Sequence, residues 1–325
     1  MAAPNTDTSA LSNLVQAAYD QSVRLALRSM PTFRSLCDTR VVNQTQPGSS
    51  VVFAIHPDMS AATSTLTEVS DPTGVSLVDP TQVTVTLNEY GNFTKVTNKL
   101  KLFNLDDNLD GNIANIVAFN QNDSVDTVVE TAFAGGSQLI TEENATLISS
   151  GNDLQDIKAT DTFKSKHARY EVAKLRGASV APVDGQYYGG YIHPDVAHDL
   201  RAEAGSLGWR VPHEYGMSQD AIFAGEIGAY EGVRWIETPR CTVTADVGDG
   251  AGSTGTIDAY NTYVMGQGAM AEAVAEEFHV VIDGTIVDAL KRFQTVGWYG
   301  VAGWSLFRTP SLWVTKTASS IGANA

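Results

Sequence analysis

The apolar positions of this chain change period several times, and each change marks an element. Leu11, Leu14, Val15, Ala18, Leu25 and Met30 fall on a helical stripe, with Ser9 or Ser12 placed to cap it. Pro31 halts that helix. After a turn at PGSS (47–50), VVFAI and VTVTL read as strands, the second alternating with period two. Between them, HPDMSAATSTLTEVSDPTGVSLVDPTQ is rich in Ser, Thr, Asp and Pro, so the pair forms a long two-stranded excursion. A hairpin with so little apolar content at its tip is marginal alone in water. It has to lean on something else, and a second subunit is one candidate.

Residues 101–180 turn mostly helical. Ile113, Ile116 and Val117 form a first group; Val125, Val128, Val129, Ala132 and Phe133 form a second with strict i, i+3, i+4 spacing. An Asn/Asp/Ser interruption separates them, and GG at 135–136 is a stop signal. A further helix is predicted from TDTF (160–163) to Arg176, ended by Gly177. From 182 to 282 short strands alternate with helices and turns: YYGGYI, an HPDVAHDLR helix, GAYEGVRWIET and YNTYVMG. Within this block, TVTADVGDGAGSTGTID (242–258) reads as a Gly-rich, acidic, flexible loop. Near the end, Trp298, Trp304 and Trp313 lie within 16 residues. Core filling is the default for aromatics at strand spacing, with interface anchoring the other reading.

Composition and charge narrow the classes. At 325 residues and 43% hydrophobic content the chain can bury a full core and is not wholly disordered. Charged residues are only 18%, so much of the surface is neutral polar or covered by partners. A net charge of −16 argues against a general nucleic-acid binder, which needs a basic face, but not against a protein that encloses nucleic acid without gripping it. Against this acidity stand two basic islands. Arg24, Arg28, Arg34 and Arg40 face a single aspartate, Asp38, and from Ala289 onward Lys291, Arg292, Arg308 and Lys316 face no acid at all. Such islands fit acidic neighbours. Cys37 and Cys241 match no metal or redox spacing, so buried reduced thiols are expected. MAAPNTDTSA has neither a basic leader nor an apolar core, and no run reaches the length of a membrane span, so a soluble protein is expected.

Three stretches invite a chemical reading, and spacing decides against each. In YIHPDVAHDLR (191–201), His193 and His198 are five apart, which turns them about 140° from one another on a helix. A zinc-protease pair needs i, i+4 with a glutamate between. Pro194 and Asp195 sit instead where a helix start wants them, with Val196 and Leu200 facing the core. In DDNLDGN (106–112), Asp106, Asn108, Asp110 and Gly111 imitate a calcium loop, but the position of the bidentate glutamate is Val117. GEIGAYEG (225–232) lacks the spacing of a phosphate loop and puts Glu226 and Glu231 where a phosphate would lie, so a tight β-turn is expected. No G-x-S-x-G elbow is present. Catalytic, metal and cofactor residues are therefore none.

The order of parts carries more than any motif. A basic helical arm, a long β-hairpin, long helices, a mixed α/β block and a returning aromatic C-terminal segment resemble the major capsid protein fold of tailed bacteriophages. GYIHPDVAHDLR, FAGEIGAYEGVRWIET and YVMGQGAMA resemble segments of its podophage-type coat-protein branch. The resemblance implies an α+β chain with an N-terminal arm (1–46), an extended β-hairpin or E-loop (47–100), a peripheral P-domain with a long spine helix (101–181 and 283–325) and an axial, mixed α/β A-domain (182–282). It implies hexamers and pentamers forming an icosahedral shell around double-stranded DNA. Assembly would take place in the host bacterial cytoplasm with a scaffolding protein, a portal and in some cases a decoration protein. No cofactor, membrane or sequence-specific DNA contact is implied. Some relatives crosslink subunits through Lys and Asn; no such pair is singled out here. Candidate intersubunit contacts are Arg24, Arg28, Arg34, Arg40, Lys95, Lys291, Arg292, Arg308 and Trp313. Two other readings stay open: an encapsulin-like compartment or other virion protein of the same fold, and, remotely, a metal-dependent hydrolase around His193, Asp195 and His198.

Overall fold

A computed structural model describes residues 31–41, 49–103 (except 64, 67, 70, 72 and 73), 109–136, 139–143, 146–148, 154, 157–203, 226–248, 255–283 and 292–322. Two sheets organise them, bridged by one long helix. The first sheet has four strands in the order β1 (Asp38–Val41), β12 (Met270–Asp283), β13 (Phe293–Leu306) and β4 (Asn88–Thr97). The second has eight strands. Its main path runs β6 (Thr146–Ile148), β5 (Leu139–Glu143), β14 (Leu312–Thr317), β11 (Ile257–Met265), β7 (Tyr188–Ile192), β9 (Val233–Glu237) and β8 (Glu226–Tyr230), with β10 (Val243–Gly248) paired to β11. A separate hairpin joins β2 (Ser50–Ile55) to β3 (Thr81–Thr86) in full register, Ser50 opposite Thr86 and Ile55 opposite Thr81.

The bridging helix, α2, runs unbroken over Leu109–Ala134. The expected Asn/Asp/Ser interruption is not there, because tertiary partners take up its polar side chains. Asn120 Oδ1 accepts from Trp298 Nε1 at 3.0 Å and from Asn92 Nδ2 at 3.2 Å, and Asp123 accepts from Arg240. With those groups occupied outside the helix, they no longer compete for its backbone. The N-terminal half of α2 packs Val117 against Val296 and Trp298 of the four-stranded sheet. Its C-terminal half packs Val125, Val129 and Phe133 with Phe33 of the turn before β1 and with Tyr191, Tyr263, Met265, Leu312 and Val314 of the eight-stranded sheet. The other face of that sheet is covered by α3 (Ser165–Gly177) and α4 (Pro194–Ala202), whose Val172, Leu175, Val196 and Leu200 close a second core around Trp235 and Tyr188.

The hairpin lies against the face of the four-stranded sheet opposite α2. Phe53 and Val85 meet Ala271 and Ala273, small residues that let the two layers approach. The approach is tightest at Gly303, where an added Cβ would lie 2.1 Å from the Thr86 carbonyl oxygen. Backbone cannot step aside as a side chain can, so Gly303→Ala is expected to cost about 1–3 kcal/mol of subunit stability in urea denaturation. An unchanged midpoint would show that the hairpin base shifts freely.

Several expectations change. TVTADVG is no loop: β10 pairs Val243 with Tyr260 and Thr244 with Ala259, bulging near Asp246 (φ 56°) before Gly248 meets Ile257. The alternating residues at its start outweigh the glycines that follow. Helix α3 begins at Ser165, later than TDTF, because Thr162 bridges to Ala318 and Asp161 accepts from the Lys158 amide. The segment 283–325 is shared between sheets: β13 lies inside the first and β14 between β5 and β11 of the second. Similarly, β4 (within 47–100) and β12 (within 182–282) belong to the four-stranded sheet. The tight turn in GEIGAYEG is there, with Glu231 (φ 52°) and Gly232 (φ 84°) linking β8 to β9 as a two-residue hairpin. The predicted helix before Met30 and the core of the calcium-like loop, 104–108, lie outside the described residues.

Candidate assembly surfaces

Buried charge in this chain is used to tie its parts together. Asp126 on α2 is 1% exposed; it accepts the Phe33 amide at 2.7 Å and Arg240 Nε at 2.7 Å. Arg240 also binds Asp123 and, at 3.0 Å each, the Asp123 carbonyl and Thr127 Oγ1. One turn on, Glu130 accepts from Tyr263 OH and from the amide (3.0 Å) and hydroxyl of Thr242. Burial raises the Asp126 carboxyl above its ordinary value, and the Phe33 amide and Arg240 only partly offset it. Between the turn at Phe33 and the four-stranded sheet, Arg34 Nε reaches the fully buried Glu272 at 2.6 Å. Arg34, one of the candidate intersubunit contacts, thus has an ion-pair partner within its own chain while its side chain stays 37% exposed.

In HPDVAHDLR, His193 and Asp199 have structural partners. His193 is the residue before α4, and its Nδ1 accepts the Asp195 amide at 3.2 Å, with Pro194 in the first turn. Burial lowers its pKa, which keeps the ring a neutral acceptor. His198 is exposed, whereas Asp199 accepts the Ser320 amide at 2.9 Å and the Ser320 hydroxyl, tying the C-terminal segment to α4. Among the described residues no group of three or more His, Cys, Asp or Glu could hold a metal, and no helix is long and apolar enough to cross a membrane. Cys37 and Cys241 are free thiols, and burial pushes Cys37 up to about 12.

A second buried acid lies on α3. Glu171 is 0% exposed and accepts the hydroxyl of Thr315 on β14, while its Oε2 has no hydrogen-bond partner among the described residues. On the neighbouring strand Thr262 stands opposite Thr315, and the buried hydroxyls of Thr262 and Thr317 likewise have no partner among the described residues. Burial pushes the Glu171 carboxyl up to about 8. Sequence reasoning missed Asp126, Glu171, Asp199 and Arg240, since each finds its partner more than 100 residues away.

The outer surfaces are apolar in two places. Beyond its stem the hairpin exposes Met59, Leu66, Val69, Val75, Leu77 and Val78, with exposures from 58% to 96%. Residues 56–80 contain Asp58, Glu68, Asp71 and Asp79 and no Lys or Arg. The second place is the far end of the four-stranded sheet, where α1 (Asn98–Phe103) follows β4. Phe93, Leu100, Leu102 and Phe103 are exposed there, beside the exposed Lys95, Lys99 and Arg292. Lys95 lies across from Thr295 on β13, and the Asn98 amide donates to the Arg292 carbonyl, so these basic residues share one end. Arg308 is half-buried at the turn before β14. Trp313 takes the core reading within its own chain: it is 7% exposed and meets Tyr170 edge-on at 6.1 Å. Arg24, Arg28 and Lys291, and the side chain of Arg40, lie outside the described residues.

Two sheets bridged by a spine helix, with a hairpin reaching out from one of them, define the class: this is the fold of the tailed-phage major capsid proteins. A family model described as phage capsid protein matches residues 28–310, and the chain belongs to that family. It is a structural protein of the virion, a major capsid protein that forms the phage head shell. The sequence matches no curated protein. Among solved structures it is similar to the capsid of cyanophage Pam1 at 13% identity and a TM-score of 0.70, over 99% of this chain and 100% of that one. The capsid of Ralstonia phage GP4 gives 14% and 0.73 over 96% and 97%. The head structure of Helicobacter pylori bacteriophage KHP40 gives 12% and 0.66 over 97% and 99%. At such identities the likeness is one of fold.

Proposed function

We propose that this chain assembles with copies of itself into hexamers and pentamers, and that these close an icosahedral head around double-stranded DNA. The observation that carries the reading is the uncovered hairpin, an acidic strip of six exposed aliphatic residues that its own chain does not bury. A monomer gains nothing by holding such a strip in water. A neighbouring subunit that offers apolar side chains among basic ones would cover it, and the end formed by Phe93, Leu100, Leu102 and Phe103 with Lys95, Lys99 and Arg292 has that character. Each contact is modest, and closure of many copies multiplies them.

In this reading residues 1–46 are the arm and the hairpin is the E-loop. The four-stranded sheet with α2 is the peripheral domain, and the eight-stranded sheet with α3 and α4 is the axial domain. The net charge of −16 suits a container, since acidic walls repel phosphates and DNA packs without sticking. The family resemblance supports assembly in the host bacterial cytoplasm around a scaffolding protein and a portal, a decoration protein being optional. No catalytic step and no cofactor is part of the proposal.

Removing residues 57–80, the part of the hairpin beyond its stem, should leave a folded subunit that forms no shells. Circular dichroism would report the fold, and size-exclusion chromatography with negative-stain imaging would report assembly. Normal particles from the shortened chain would overturn the reading.

A further inference from the structure

The core between α3 and the eight-stranded sheet is not uniformly apolar. Thr315 and Thr317 lie two apart on β14 and share a face, and Thr262 on β11 stands directly opposite Thr315. That face is the one α3 covers. Val264 and Trp313, the next opposed pair along it, pack with Val172 and Leu175 of α3, and Trp313 meets Tyr170. The three threonines and Glu171 are fully buried there. The Thr315 hydroxyl donates to Glu171 Oε1. Glu171 Oε2, the hydroxyls of Thr262 and Thr317 and Trp313 Nε1 are buried with no hydrogen-bond partner among the described residues.

Four such atoms along one seam call for a common partner, since a buried polar group without a bond is costly and rare. Spacing and chemistry name that partner. Opposed residues of an antiparallel pair hold their Cβ atoms about 4.5–5.5 Å apart, and diagonal neighbours lie about 7–8 Å apart. Polar atoms carried at those spacings and not bonded to one another leave gaps that a water molecule spans. The partner must accept as well as donate, because the hydroxyls and the indole N–H are donors. A metal cation would take the oxygens but not the indole. Burial also favours the neutral form of Glu171, so the seam has no net charge that calls for a counter-ion.

We propose that Glu171 Oε2 and the hydroxyls of Thr262 and Thr317 hold ordered water between α3 and the β11–β14 pair, an internal water site in the core of the eight-stranded sheet. The consequence is positional. Apolar contacts alone allow a helix several places on a sheet, whereas a bonded polar seam has one satisfied arrangement. The water site therefore fixes where α3 sits along β14. It lies wholly within one chain and stands or falls separately from shell formation.

The direct test is a density map of the shell, or of crystals of the subunit, at a resolution that shows ordered water. A peak is expected about 2.7–3.2 Å from Glu171 Oε2 and from at least one of the two hydroxyls. A protein side chain in that place overturns the proposal, as does the absence of a peak, or a peak that takes up rubidium and is therefore a cation. Urea denaturation of Thr262→Val and Thr317→Val gives a second readout, since valine replaces the hydroxyl by a methyl group of similar shape. Where the hydroxyls hold water, each variant loses bonds and its midpoint should fall by about 0.3–1 M. Hydroxyls buried without a partner would instead be relieved by the methyl group. An unchanged or raised midpoint in both variants therefore counts against the site.

Discussion

Glu171→Gln is expected to make the subunit more stable at pH 8 and nearly unchanged at pH 4.5. The folded chain holds the Glu171 carboxyl in a core with no charged partner among the described residues, and burial raises its pKa from the ordinary 4.5 to about 8, with the Thr315 hydroxyl opposing. Unfolded, the same group ionises near its ordinary value. Between the two the folded state keeps a proton that the unfolded state has lost, so stability falls as pH rises through this window. Over the whole interval the loss is on the order of 5 kcal/mol. Glutamine keeps an acceptor for Thr315 and never ionises, so the variant's stability should be flat where the wild type declines. Urea denaturation of the subunit at pH 5, 6.5 and 8 measures this directly. Parallel curves for the two proteins would show that Glu171 is not held neutral.

Arg240→Ala should be the most damaging single change at the junction of residues 31–36, α2 and the eight-stranded sheet. It strips the ion-pair partner from Asp126, a carboxylate 1% exposed, and removes the bonds to Asp123 and Thr127. Removing one member of a buried pair costs about 3–5 kcal/mol, because the other charge stays behind in low dielectric. The double variant Asp126→Asn with Arg240→Met tests that cause. Asparagine can still accept the Phe33 amide, and no charge is left stranded, so the double variant should recover stability relative to Arg240→Ala. A loss under about 1 kcal/mol for Arg240→Ala, or no recovery in the double variant, would mean that water reaches Asp126 and the pair matters little.

Much of the architecture is legible in local pattern. Pro194 and Asp195 mark the start of α4, Gly232 marks the β8–β9 turn, and the run Val125 to Phe133 marks the buried face of the spine helix. These succeed because their cause is local: a ring without an amide proton, a backbone angle that glycine tolerates, a repeat of 3.6. The misreadings share the opposite cause. Asn120 and Asp123 resemble helix breakers until Trp298 and Arg240 arrive from the far end of the chain to occupy them. Gly248 suggests a loop, yet it lies in a strand where a Cβ would meet the Ile157 carbonyl at 2.5 Å. Arg34 looks like a free basic residue until Glu272, 238 positions later, is placed beside it.

The assembly surface divides in the same way. That the hairpin is acidic, poor in core residues and in need of a partner follows from its composition alone, because charge and apolar content do not depend on contacts. Which aliphatic residues stay uncovered, and that Lys95, Lys99 and Arg292 gather at one end beside Phe93 and α1, is decided by the pairing of β4 with β13. Trp313 makes the point from the other side, since an aromatic in a basic segment suits an interface as well as a core, and only the packing of β14 under Tyr170 chooses. By itself the sequence determined α2, α3 and α4, the strands β2, β3, β7, β8, β9 and β11 and the character of the exposed parts, for these rest on short-range periodicity and on charge; it read 101–180 as mostly helical and so did not show β5 and β6. Which strands share a sheet, which buried acids are paired and which apolar residues remain outside were decided by the tertiary structure, because each depends on residues brought together across a hundred or more positions.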